Sequence, residues 1–341
     1  MRIVINDIAA SYGGAVTVLK EVYNYIVEND KENEYIFLLS ERLLKDTDNI
    51  KIYLCPEVKK SWLHKLWFDF VSGQKLLNSL NPDVVISLQN IITFGYKGVQ
   101  KVYIHQSIPF QSTKKFSFFK RKECKLAIYQ YLIGAIIKLS ILKSDSVFVQ
   151  TEWMKKSVLD RCRIHNDKVK VIPISVSEMP LSNEYISTGN EFFYPSTVES
   201  VYKNHDLIYE ACRLLKNDNI TNYRVVLTLN NKNSSKNLSY CGMLNKEDLY
   251  KEYNKSVLLF PSYIETVGLP LIEAMSVGAV VFVADCEYSH EILKDYPNAY
   301  FFDPFNAEDL AMLMKKSILG QIVSDGKGRR ANQNSDWSLL L

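Results

Sequence analysis

Short apolar runs alternate with amphipathic stretches along most of the chain. Ile3-Val4-Ile5, Tyr35–Leu39, Ile50–Leu54, Asp83–Leu88, Val102–His105 and Ser146–Gln150 are brief and mostly apolar. That is the pattern of strands buried on both faces. After the turn at Gly13-Gly14, the residues Val16, Leu19, Val22, Tyr23 and Ile26 recur at helical spacing. Ser61–Leu80 also reads as helix, broken by Asn81-Pro82. A second series follows, with strands at Phe192–Tyr194, Val225–Leu229, Val257–Phe260, Val280–Val283 and Tyr300–Phe302, and a helix at Asp206–Leu215. Strand–helix alternation predicts parallel sheets with right-handed crossovers. Between the series lies a polar, turn-rich stretch, SVSEMPLSNEYISTGN. The expected architecture is α/β, with two Rossmann-like domains at 1–174 and 191–319, a linker at 175–190 and a tail at 320–341. Ligands are expected in a central cleft, at the carboxyl ends of the strands.

Length and composition fit this picture. The 341 residues hold two domains of ordinary size. A hydrophobic share of 47% and a charged share of 23% are those of a soluble globular chain. A net charge of +3 gives no reason to expect nucleic-acid binding. The six cysteines, Cys55, Cys124, Cys162, Cys212, Cys241 and Cys286, form no C-x2-C pair, so neither a zinc site nor a redox motif is indicated. No signal peptide is read at the start, and a cytoplasmic location is expected. Leu126–Leu142 is the most apolar segment, but Gln130 and Lys138 interrupt it, and it reads as too short and too polar to span a membrane.

The run FPSYIETVGLPLIEAMSVGAVV carries the most chemistry. A strand ends at Phe260, and Pro270 suits the first turn of a helix that stops near Gly278. The first amides of a helix lack internal partners and carry partial positive charge, and Gly268 lets a phosphate approach the backbone. Glu265 lies before the helix, and Glu273 is expected in its first turn. Two readings fit the glutamates: contacts to the sugar and ribose of a ligand, or a solvated loop residue and a complement to the helix dipole. Lys203 falls at another strand-to-helix turn, placed as a point charge for a diphosphate or as a surface lysine. Gly13-Gly14 marks either a tight turn or a close approach of ligand to backbone. His105, at a strand's carboxyl end, is either structural or functional. There is no G-x-G-x-x-G for a dinucleotide cofactor.

The string IETVGLPLIEAMSVGAVV resembles the donor-site signature of retaining glycosyltransferases of the GT-B fold, the group-4 family of glycosyl transferases group 1. The features that match run from residue 1 to about residue 319. The resemblance implies that Glu265 faces the donor sugar, that Glu273 binds the nucleotide ribose, and that the amides of Gly268 and Leu269 face the diphosphate. It implies that Lys203 neutralises the leaving phosphate and that Gly13 and Gly14 approach the donor phosphates and acceptor. It places His105 near the reacting centre and Asp285 and Glu291 near the donor; Glu291 reads equally as a helix cap. The family often has an arginine a few residues before this lysine; here Thr197, Val198 and Glu199 stand there.

The implied activity is a metal-independent, retaining hexosyl transfer. The sugar passes from a nucleotide-diphosphate sugar to a glycan or polyprenyl-diphosphate-linked saccharide, in bacterial surface polysaccharide assembly such as O-antigen or capsule. No cofactor is expected beyond the nucleotide sugar itself, a co-substrate. In such enzymes the departing phosphate is thought to help remove the acceptor's proton, consistent with no nucleophile–base pair being visible. The alternatives are a nucleotide-sugar 2-epimerase of related fold and a non-catalytic nucleotide-sugar-binding protein. Asp46-Thr47-Asp48 is a D-x-D, read as a turn rather than a metal site. Two basic–aromatic stretches, KKFSFFKRKECK at 114–125 and KKSWLHKLWF at 59–68, read either as solvated helix faces or as a surface for anionic lipid at the inner face of the membrane. Asp336-Trp337 resembles the family's closing segment, which returns to the first domain.

Overall fold

The apolar runs form the strands of two all-parallel sheets. The computed structural model describes residues 1–11, 13–174, 185–230, 234–330 and 335–341. Most of the stretch read as linker, 175–184, lies outside them, as does Tyr12 of the loop after the first strand. Unit 1 takes in Met1–Phe116, Lys125–Ser175 and Gln333–Leu341; unit 2 takes in Ser117–Cys124 and Val176–Asn332.

Unit 1 is built on β1 (Arg2–Asn6), β2 (Glu34–Leu39), β3 (Ile50–Leu54), β4 (Val84–Ser87), β5 (Val99–Ile104), β6 (Ser146–Val149) and β7 (Val169–Val171), in the order β3-β2-β1-β4-β5-β6-β7. Unit 2 is built on β8 (Glu191–Tyr194), β9 (Arg224–Leu227), β10 (Leu238–Tyr240), β11 (Val257–Phe260), β12 (Val281–Ala284) and β13 (Ala299–Phe302), in the order β10-β9-β8-β11-β12-β13. In each sheet the chain steps outward, returns to the centre and steps the other way. The reversal falls between β1 and β4 in unit 1 and between β8 and β11 in unit 2. In open parallel sheets such a reversal opens a crevice at the strands' carboxyl ends.

The central strands are buried on both faces, which explains their unbroken apolar sequence. Phe192, Phe193, Tyr194, Phe260 and Phe282 are all 2% exposed or less. Each such side chain contributes roughly 1.5–3 kcal/mol through burial, so the positions of β8 and β11 are strongly set. The first helix runs over Gly14–Asn29 and buries Val18, Leu19, Val22 and Ile26. Ser61–Leu80 is helical nearly throughout: Trp62–Trp67, a widened π turn at Phe68–Ser72, then Gly73–Leu80, closed by Asn81 at φ 48°.

Two sequence expectations change. β7 and β10 were not anticipated, because VKV and LSY are short edge strands without an apolar run. The segment read as too short to span a membrane is a helix of 20 residues, Cys124–Lys143, with mean hydropathy 1.5. By length and composition alone it would reach across a bilayer. It nonetheless packs one face on unit 1, burying Ile137 and Ile141, while Tyr131, Leu132, Leu139 and Leu142 stay exposed. The tail segment also packs there. Trp337 is buried with its ring 5.6 Å from that of Tyr103, and Lys101 Nζ donates to the Leu340 and Leu341 carbonyls.

Candidate active site

The switch point of unit 2 gathers the polar side chains that the motif singled out. β8 leads through the short turn Val201–Lys203 into the helix His205–Asn217. β11 leads through residues 261–268 into the helix Leu269–Ser276. Because β8 and β11 are neighbours, these two loops lie side by side. Tyr263 N–H donates to Tyr202 C=O at 3.0 Å, tying one loop to the other. Asn204, at φ 59°, donates from Nδ2 to Pro261 C=O at 3.3 Å and to Pro304 C=O at 2.8 Å.

At the centre, Lys203 Nζ donates to Glu265 Oε1 at 2.5 Å. The two side chains are 21% and 17% exposed, too enclosed for a solvated surface pair. Burial works against the ammonium charge, but the Glu265 carboxylate outweighs it and holds Lys203 above its usual range. The same oxygen of Glu265 accepts from Ser262 Oγ at 2.7 Å. Two buried tyrosines brace the backbone beneath. Tyr194 Oη donates to Lys203 C=O at 2.8 Å, and Tyr288 Oη donates to Ser262 C=O at 2.5 Å.

Three residues on, Gly268 opens the helix at φ 79°, a left-handed conformation that strains any residue with a Cβ. A Cβ there would also meet Leu271 Cδ1 and Tyr288 Cε2 at 3.3 Å. Pro270 falls in the first turn, as the sequence predicts. Glu273 does not: the helix starts at Leu269 and carries no acidic residue in its first turn. Its carboxylate therefore serves no dipole complement; Oε2 accepts from Tyr253 Oη at 2.6 Å, from the neighbouring helix Lys246–Lys255. Burial raises the Glu273 carboxyl, against the Tyr253 hydrogen bond and the Lys246 charge.

Thus the structure brings Lys203, Glu265 and the Gly268–Leu269 helix start into one corner, while Glu273 belongs to a separate contact with Tyr253. Asp285 is exposed and faces His290 Nε2 at 2.6 Å. Glu291 is no helix cap: the helix Glu287–Ile292 is capped by Cys286 and Ser289. Asp46 of the D-x-D accepts from Arg42 and from Ile52 N–H. No group of three metal-ligating side chains occurs among the described residues. Sequence reasoning missed Ser262, Tyr194, Tyr288 and Tyr253. Ser262 had a signal, since a serine three residues before a carboxylate can reach it; the tyrosines had none, because their roles depend on strand adjacency.

The other candidates stand in unit 1. Gly13 and Gly14 follow β1, with Gly13 at φ 64°. His105 follows β5, and Asn90 Oδ1 accepts from the N–H groups of His105 and Gln106 at 2.7 and 2.9 Å. Burial holds the imidazole down at about 4.

Residues 182–335 match the family described as glycosyl transferases group 1. Over 296 residues the chain is 22% identical to the O-antigen chain mannosyltransferase RfbU of Salmonella typhimurium, covering 76% of this chain and 79% of that one. It spans 28% of the length of two longer relatives, each 24% identical over 234 residues. Among solved structures, WaaG, a glycosyltransferase involved in lipopolysaccharide biosynthesis, aligns with a TM-score of 0.64 at 15% identity, over 94% of this chain and 90% of that one. HepE of Anabaena, in complex with UDP and glucose, aligns with a TM-score of 0.62 at 14% identity, over 100% and 97%. The fold is that of the two-domain GT-B sugar transferases. Over residues 182–335 the chain is similar to the group 1 glycosyl transferases.

One consequence concerns His105. With its folded pKa below the ordinary 6.5, the folded state refuses a proton that the unfolded chain accepts. Stability is then lost as pH falls from about 6.5 towards 4. An NMR titration of the imidazole should show it neutral at pH 5.5; a midpoint near 6.5 would contradict the burial.

Proposed function

We propose that the protein is a retaining transferase that moves a hexose from a nucleotide-diphosphate sugar to a saccharide or polyprenyl-diphosphate-linked acceptor in surface polysaccharide assembly. The observation that carries this reading is the Lys203–Glu265 pair at the β8/β11 switch point, beside an open helix start. In the reaction, charge grows on the outer oxygens of a leaving diphosphate. Fixed donors stabilise such charge best where water is scarce. Lys203 and the amides of Gly268 and Leu269 take that part, so no divalent cation is assigned to it. Glu265, released from the lysine, positions the donor sugar, and Glu273 takes the ribose. In unit 1, Gly13, Gly14 and His105 are assigned to the reacting sugar and acceptor. The mannosyltransferase and lipopolysaccharide names of similar proteins, and the UDP in the HepE structure, support donor class and role.

The acceptor side favours contact with the inner face of an anionic membrane. Trp62, Leu63, Trp67 and Phe70 stand exposed in unit 1, and the last three line an open groove of about 660 Å³. Phe94 stacks on Phe70 at 4.4 Å and carries Lys143 5.9 Å from its ring, joining this face to the helix Cys124–Lys143. Lys60 precedes the first aromatic, and such a cation contributes about 1 kcal/mol near an anionic surface; Lys59 is turned inward to Ala10 C=O, Ser40 Oγ and Glu41.

Assayed with a panel of nucleotide sugars and lipid-linked saccharides, the wild type should give a product of retained anomeric configuration. Lys203→Met and Glu265→Gln should each lower kcat/KM by about 100-fold or more, measured well below a melting temperature that also falls, because each change leaves the other charge enclosed and unpaired. An epimerised donor formed without acceptor, or full activity in both variants, would overturn the assignment. In flotation, the protein should rise with vesicles containing phosphatidylglycerol, and Trp62→Ser/Trp67→Ser should stay below; equal recovery of both would remove the membrane contact.

A further inference from the structure

Tyr253 is fully buried on the helix Lys246–Lys255, its ring edge-on to Phe193 at 5.6 Å. A phenol so placed needs a partner for its hydroxyl, and the partner is Glu273 Oε2 at 2.6 Å. The inference rests on the assignment of Glu273 to the ribose. We propose that Tyr253 is a positioning residue for nucleotide recognition: it occupies Oε2 of Glu273, leaves Oε1 as the acceptor for a ribose hydroxyl, and so makes the site select ribonucleotide donors over deoxyribonucleotide ones.

The chemistry follows from what a carboxylate can do. Ionised, Glu273 only accepts, and a ribose diol offers hydrogens to an acceptor. Protonated, it would lose half of that capacity. Burial pushes the carboxyl up towards protonation, and two groups of the helix Lys246–Lys255 pull it back, the Tyr253 hydroxyl and the Lys246 ammonium. The helix Glu287–Ile292 packs on the same helix as Glu273 and brings Glu287, Tyr288, His290 and Glu291, none of which is among the groups that shift it. Strand β11, VLLF, has no titratable side chain. Burial and the Glu273 charge hold the Tyr253 phenol far above neutrality, so it remains a donor throughout the working pH range. A hydrogen bond of this kind also fixes the carboxylate's rotation, and a hydroxyl missing from the ligand then leaves Oε1 without a partner, which is where discrimination arises.

The test measures binding, not turnover. ADP, GDP and UDP are titrated calorimetrically, followed by the 2′-deoxy and 3′-deoxy forms of whichever binds. The wild type should bind a deoxy form about tenfold more weakly. Tyr253→Phe keeps the buried ring and removes one oxygen; Tyr253→Leu serves if that variant does not fold. In either variant the ratio should shrink to within about threefold, and ribonucleotide affinity should begin to fall at a higher pH than in the wild type, because Glu273 has lost a group that kept it ionised. A variant that only melts earlier, with ratio and pH profile unchanged, overturns the proposal and leaves Tyr253 as packing. Glu273→Gln separates the two layers. If it erases the preference and Tyr253→Phe does not, the ribose assignment stands and the positioning role falls. If Glu273→Gln leaves the preference intact, or the wild type binds none of the three nucleotides, the ribose assignment itself is wrong.

Discussion

An ammonium and a carboxylate from two neighbouring loops hold each other at the switch point of the second sheet. Lys203 comes from the loop after β8 and Glu265 from the loop after β11. Neither would be tolerated alone in so enclosed a place, since removing one partner leaves the other charge partly desolvated and unpaired. Without ligand the pair is self-neutralised. In the proposed reaction an arriving diphosphate would offer the lysine a stronger partner and free the glutamate for the sugar. The same two groups would then serve stability when the site is empty and recognition when it is filled.

The backbone under this pair is set by burial rather than by the pair itself. β8 and β11 sit in the middle of a sheet whose aromatic residues are nearly all hidden. Tyr194 and Tyr288 then carry that rigidity outward, each donating to the carbonyl of a loop residue that bears, or neighbours, a charged side chain. Tyr253 does the same for Glu273 directly. Sites held by locked residues of this kind lose little entropy on binding, which favours both affinity and geometry.

Much of this was legible in the sequence, for physical reasons. A strand buried on both faces must be apolar throughout, so β1, β2, β4, β11 and β12 announced themselves. A proline in a helix's first turn and a glycine at positive φ mark the helix start at 268–270. The resemblance assigned the lysine and the first glutamate to one donor separately; that they meet depends on β8 and β11 being neighbours, which the structure shows. What could not be read depends on three-dimensional neighbours. Glu273 was placed in the first turn because Pro270 reads as the helix start; the helix starts one residue earlier, at Leu269, which carries Glu273 past that turn. The buried tyrosines look like ordinary core residues until their hydroxyls are seen to reach the loops. β10 has too little apolar surface to stand out, and the long helix Cys124–Lys143 hides its extent behind Gln130 and Lys138.

The central claim is that the diphosphate replaces Glu265 as the partner of Lys203. A crystal structure with a bound nucleoside diphosphate tests it most directly. The account predicts a phosphate oxygen within about 3 Å of Lys203 Nζ, the Gly268–Leu269 amides turned to the same phosphates, and Glu265 parted from the lysine. A nucleotide bound elsewhere, with the Lys203–Glu265 contact intact, would contradict it.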